Sequence, residues 1–202
     1  MSKLSFPLLI GLVGVLLAAQ RAPLLADGAV KAKERNDWLR AFYQRQLRAM
    51  KEPSLSSLAE KDREATVYRI LWLPSFENPV AVRFVKTDEG GFSYAVRLDS
   101  QGGYEPGNVA ARKTIKLGEA HWRRIAGKLE KARFWTLPTN HRPPFGRLID
   151  DGDIVIIEGV SGGNYHLVVR NNPLGGDFVD LCRAMLFMSG IDVRKTWFQY
   201  RR

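Results

Sequence analysis

The stretch from Gly152 to Arg170, GDIVIIEGVSGGNYHLVVR, constrains this chain more than any other. Its apolar residues run up to Ser161, stop at Gly162-Gly163, and resume in alternation through Tyr165, Leu167 and Val169. Paired glycines suit a two-residue hairpin, because both central positions need positive φ. The spacing therefore predicts two antiparallel strands, with Val160 opposite Tyr165 and Ile156 opposite Val169. A long apolar hairpin cannot stand alone in water, so the rest of the chain must supply a sheet and something to cover it. On this reading the hairpin is the central pairing of that sheet.

The same hairpin contains Gly159-Val160-Ser161-Gly162-Gly163, a G-x-S-x-G pattern. It resembles the nucleophile-serine motif of trypsin-like proteases, with valine where aspartate is expected. A nucleophile elbow requires a strand, a strained turn and then a helix. Here a second strand follows the turn, and His121 and His141 lie too near Ser161 in sequence for the trypsin-like layout. The motif is read as a turn.

Upstream, Ala65 to Pro74 is apolar on both faces, as a buried strand requires. Pro79 to Lys86 alternates, with Val80, Val82 and Phe84 on one side and Arg83 on the other. Phe92 to Leu98 alternates again, with Phe92, Tyr94, Val96 and Leu98 inward and Ser93, Ala95 and Arg97 outward. These predict a meander with its core on one side. Arg112 to Leu117 is read as a short further strand.

Two helices follow from apolar stripes at helical spacing: 118–134, with Trp122, Ile125, Ala126, Leu129 and Ala132, and 178–189, with Phe178, Leu181, Cys182, Met185 and Leu186. Asp177 is the expected cap of the second, and Gly190 its stop. Residues 33–51 form a basic amphipathic helix capped by Asn36, with Trp38, Leu39, Phe42, Tyr43, Leu47 and Met50 on the apolar side. Residues 52–64 are polar and read as a linker or loop. The fold class is therefore α+β: an antiparallel sheet of about five or six strands, two packed helices and an N-terminal flanking helix.

The N-terminus has the plan of an export signal. Met1-Ser2-Lys3 is a short positive start, and Leu4 to Ala19 carries no charge. The run is shorter than the roughly 20 residues of a spanning helix, and Pro7 interrupts it. Small residues at Ala19, Ala22 and Ala26 offer cleavage points. The division expected is 1–26 for export, 27–64 for the amphipathic helix and linker, and 65–202 for the globular domain. The expected location is periplasmic or secreted, with anchoring to the inner membrane by residues 4–19 as the alternative. The segment engages the membrane at least during export.

The chain holds 31 Lys+Arg against 21 Asp+Glu, a net charge of +10. Losing Lys3 and Arg21 with the leader lowers this by two, to +8, so the basicity belongs to the domain. Such a balance favours anionic partners, here an anionic cell-envelope component or envelope protein. Export argues against nucleic acid. The tail Arg194 to Arg202 interleaves cations with Trp197, Phe198 and Tyr200, which suits a membrane interface or packing on the domain.

The single cysteine, Cys182, excludes an internal disulfide and a cysteine zinc cluster, and reads as a buried small hydrophobe. Walker A, Rossmann, H-E-x-x-H and C-x-x-C patterns are absent. His121 reads as a residue of a solvated helix face and His166 as a structural mid-strand histidine. The loop 136–151 is the longest in the chain and leads into Asp150, Asp151 and Asp153, with His141 upstream. Carboxylates and a histidine could serve a hard cation or acid–base chemistry, so these four are the catalytic candidates. No cofactor-binding or metal set is assigned.

The order meander, strand, helix ending in Phe134-Trp135-Thr136-Leu137-Pro138, hairpin, helix resembles uncharacterised secreted bacterial domains of unknown function across residues 65–190. The resemblance implies no activity. The function expected is a non-catalytic exported binding module for an anionic partner. The alternative is a periplasmic hydrolase-like or metal-assisted enzyme using the 141–153 loop.

Overall fold

The computed structural model of the chain describes residues 37–100, 105–140 and 152–193. The chain divides into two units, Met1–Gln44 and Arg45–Arg202. Residues 37–49 are helical (α1) and span the boundary. In the first unit Trp38 stacks on Phe42 at 5.2 Å between ring centroids, and Trp38 is 56% exposed although its spacing placed it on the apolar side. Asn36, the expected cap, lies outside the described residues, as do the export segment and the tail 194–202.

The second unit is built on one six-stranded antiparallel sheet, in agreement with the α+β reading. Its strands are β1 Val67–Leu73, β2 Val80–Thr87, β3 Gly90–Leu98, β4 Val109–Leu117, β5 Ile154–Ser161 and β6 Asn164–Asn171, in spatial order β4-β3-β2-β1-β5-β6. The helices are α2 Leu55–Lys61, α3 Glu119–Lys131 and α4 Gly176–Phe187, with a 3-10 turn at Phe134–Thr136.

The hairpin has the predicted register: Val160 pairs with Tyr165 and Ile156 with Val169. Gly162 and Gly163 have φ of 57° and 72°, as a two-residue turn of right-handed strands demands. It is not the central pairing, however. β1 and β2 hold the centre, and β6 is an edge strand. β1 is buried along its whole length because β2 and β5 flank it and both faces are covered.

That double cover corrects the one-sided meander. Val82 pairs with Ala95 and Phe84 with Ser93, so the apolar set of β2 shares a face with the small residues of β3. The apolar set of β3 points to the other face. One face carries Tyr68, Ile70, Trp72, Val82, Phe84 and Ile157 against Trp122, Ile125 and Leu129 of α3 and Val179, Cys182 and Met185 of α4. On the opposite face Leu55 and Ala59 of α2 pack on Val67 and Val160. Residues 52–64 are therefore not a bare linker. Ser54 caps α2, its Oγ accepting from Ser57 N at 3.2 Å, and Leu55 is fully buried. The polar composition concealed a helix whose two inward residues suffice to seat it.

A crosswise row on this second face is polar. Tyr94, Arg83, Arg69 and Glu158 are successive register partners on β3, β2, β1 and β5. Arg69 Nε donates to Glu158 at 2.8 Å, and Arg83 Nε donates to Glu52 at 2.9 Å. Arg69 also donates to Glu52 and to the Pro53 carbonyl, and Tyr165 donates to Glu158. Two cations meet two carboxylates, so the row is neutral and its charges are compensated where isolated ones would be untenable.

Other departures are local. The fourth strand is nine residues rather than a short run. α4 starts at Gly176 after Gly175, and Asp177 makes no cap bond but sits in the first turn, where its charge favours the helix end. Lys131 and Lys128 reach Asp177 and Asp180 and tie α3 to α4. Gly190, at φ 64°, follows the end of α4 as expected.

Candidate functional site

Of the four catalytic candidates, His141, Asp150 and Asp151 lie outside the described residues. Asp153 sits at the foot of β5, where its carbonyl accepts from Asn172 N at 2.7 Å. Beside it the Gly152 carbonyl accepts from Ser75 Oγ at 2.8 Å. Asp153 thus closes the end of the hairpin, as Asp and Gly before a strand commonly do. Among the described residues no group of three or more His, Cys, Asp or Glu side chains is placed to hold a metal ion. Cys182 is fully buried on the inner face of α4, and His121 is exposed.

Ser161 ends β5 and is followed by a turn and a strand, so it is not on a nucleophile elbow. It nevertheless lines a cleft of about 520 Å³ with Trp135, Asn164, Tyr165 and His166. The cleft follows from one register row. Tyr68, Gly159 and His166 are partners across β1, β5 and β6. Because Gly159 has no side chain, the Phe134 ring occupies the space between its neighbours. Phe134 meets Tyr68 edge-on at 6.2 Å and His166 at 5.1 Å, and is itself fully buried.

Burying Phe134 turns the next residue outward. Arg133 adopts the left-handed conformation, φ 50° and ψ 40°, which ends α3 and starts the 3-10 turn. An arginine there carries strain of order 1–2 kcal/mol, offset by the seat Phe134 finds. Trp135 is then held by three rings, Phe134 at 5.3 Å, His166 at 6.0 Å and Tyr68 at 6.2 Å, and is still 38% exposed.

The polar groups around it are equally fixed. His166 Nε2 donates to the Leu137 carbonyl at 3.0 Å, which holds the ring in place. This agrees with the structural reading of His166, and adds that its ring forms a wall of the cleft. Asn164 pairs with Ser161 across the turn and so stands on the same face. Burial pushes the Tyr68 phenol above its ordinary value of 10.0, while hydrogen bonds from Trp135 and Ser161 pull it back in part. Gly159 and Trp135 were in view in the sequence, but only as a motif glycine and a helix-ending aromatic. Nothing local to either said that they meet.

A second feature lies on the opposite sheet edge. β4 presents Arg112, Lys113 and Lys116, and the adjoining α3 presents Arg123 and Arg124, all exposed. Arg112 donates to the Met50 carbonyl and Lys113 to the Gly190 carbonyl. Among the described residues none of the five forms an ion pair, in contrast to Lys128 and Lys131. No helix among the described residues is long and apolar enough to cross a membrane.

No protein-family model matches the chain, and no curated protein matches it.

Proposed function

We propose that this protein is a non-catalytic binding module of the cell envelope for an anionic partner. It is exported through residues 1–26, or held at the inner membrane by residues 4–19. The observation that carries the reading is the set of exposed cations at the β4 edge: Arg112 and Lys116 on the face shared with Val96 and Phe92, and Lys113 on the other face, the side on which α3 carries Arg123 and Arg124. Lysines on an edge strand also discourage strand-to-strand association. Arg123 and Arg124 lie on a helix, where that purpose does not apply.

The test is retention on an immobilised polyanion, such as heparin, as salt is raised. The variant Arg112→Gln, Lys116→Gln, Arg123→Gln, Arg124→Gln should elute at clearly lower salt, because each lost contact reduces the electrostatic attraction that salt screens. A control lacking residues 194–202 separates the basic tail from the edge. Unchanged elution of the fourfold variant, or its self-association with polyanion binding intact, would reject the reading. Fractionation of cells tests export: the envelope fraction should hold the chain, and intact precursor confined to the cytosol counts against it.

A further inference from the structure

We propose that the cleft at the β5–β6 turn binds a neutral sugar ring, stacked on the exposed face of Trp135. The inference is independent of the cationic edge. β4 and β6 are opposite edges of the six-stranded sheet, about 24 Å apart at the usual strand spacing.

Three observations converge. First, Trp135 is preorganised. An aromatic surface locked by Phe134, His166 and Tyr68, behind a left-handed Arg133, has little conformational freedom left to lose on binding. The left-handed Arg133 that ends α3 also fixes the backbone that carries the ring. Second, the cleft volume of about 520 Å³ falls within the range of small-molecule sites. Third, the residues lining it are mixed donors and acceptors without a carboxylate or an ammonium: the Ser161 hydroxyl, the Asn164 amide and His166. Sugar hydroxyls also both donate and accept, and the C–H face of a pyranose is the apolar complement of an indole.

The experiment is a titration of the full-length protein with neutral trisaccharides (triacetylchitotriose, cellotriose and maltotriose) at concentrations up to about 10 mM, a range that detects millimolar dissociation constants. The readout is the indole N–H resonance of each tryptophan. At least one sugar should shift the Trp135 resonance saturably, while those of Trp72 and Trp122 stay in place. Trp135→Leu should weaken binding about tenfold or more, a loss equal to one strong contact. Because Trp135→Leu also disturbs packing, Asn164→Ala and Ser161→Ala serve as variants at the rim, each expected to weaken binding about threefold; Asn164→Ala should leave thermal melting unchanged, whereas Ser161→Ala also gives up its hydrogen bond to Tyr68. The fourfold charge variant should bind sugar as the wild type does. If none of the three sugars moves the Trp135 resonance, or if rim variants bind as well as wild type, the proposal fails.

Discussion

A methyl group at residue 159 has nowhere to go. An ideal Cβ there would lie 2.6 Å from Phe134 Cε1 and 3.1 Å from the Tyr68 ring. Gly159→Ala must therefore expel Phe134 from its seat or spread β1 from β5, and overpacking of this kind costs about 1–3 kcal/mol. Urea unfolding should show that loss, and the sugar-dependent shift of Trp135 should weaken with it. Neighbouring Tyr68 gives a pH prediction. Its folded pKa is raised above 10.0, so the native state holds the phenolic proton more tightly than the unfolded chain. Stability must then fall as pH rises through and above 10, and the effect is absent below that range. Melting temperatures measured from pH 8 to 11 should decline less steeply for Tyr68→Phe than for wild type. An equal decline in both would show that Tyr68 does not titrate in the cooperative unit. The sequence shows Gly159 inside a serine motif, where flexibility is the obvious role. The actual requirement is empty space, and that depends on a phenylalanine 25 positions upstream.

At the scale of elements, the polar row across β3, β2, β1 and β5 holds Glu52 and Pro53 onto the middle of the sheet. Arg69 is 1% exposed and Glu158 is 4% exposed. Removing one member of such a pair strands the other, at a cost of about 3–5 kcal/mol. Arg69→Met should lose stability on that scale and make the 52–64 segment more susceptible to limited proteolysis, because Arg69 also holds Glu52 and the Pro53 carbonyl. Glu52→Gln should cost less, since Arg83 is partly exposed and can turn to water. If Arg69→Met unfolds at the wild-type urea concentration, the row is ornamental. Element types were largely legible. The glycine turn, the alternation of β2 and β3, and the stripe of α3 each arise within about one helical or hairpin unit. The helix at 55–61 was hidden because only Leu55 and Ala59 are buried in it, too few to give a periodic signal. Arg69 was hidden for the opposite reason. It lies in an apolar run, and its partner Glu158 is 89 residues away.

For the molecule as a whole, the sheet order sets what its two edges can do. One edge is the cationic β4. At the other, β6 is partly covered: Val169 N donates to the Thr139 carbonyl at 2.7 Å, and Arg170 reaches the Pro138 and Thr139 carbonyls. Above that cover the edge opens into the aromatic cleft. The two proposals therefore sit on separate surfaces, and charge variants at β4 should leave the cleft untouched.

By itself the sequence determined the α+β class, the six strands, the helices α3 and α4, the hairpin register and the basic balance of the chain. These follow from side-chain period, turn chemistry and charge count, all of which act within a few residues or by simple addition. Only the tertiary structure decided that the hairpin lies toward one edge, that the sheet is covered on both faces, and that Phe134 fills the gap over Gly159 and turns Trp135 outward. Each of those depends on contacts between segments distant in the chain. Any strand with this alternation accepts several neighbours, and the choice among them comes from how side chains of different segments fill one another's spaces.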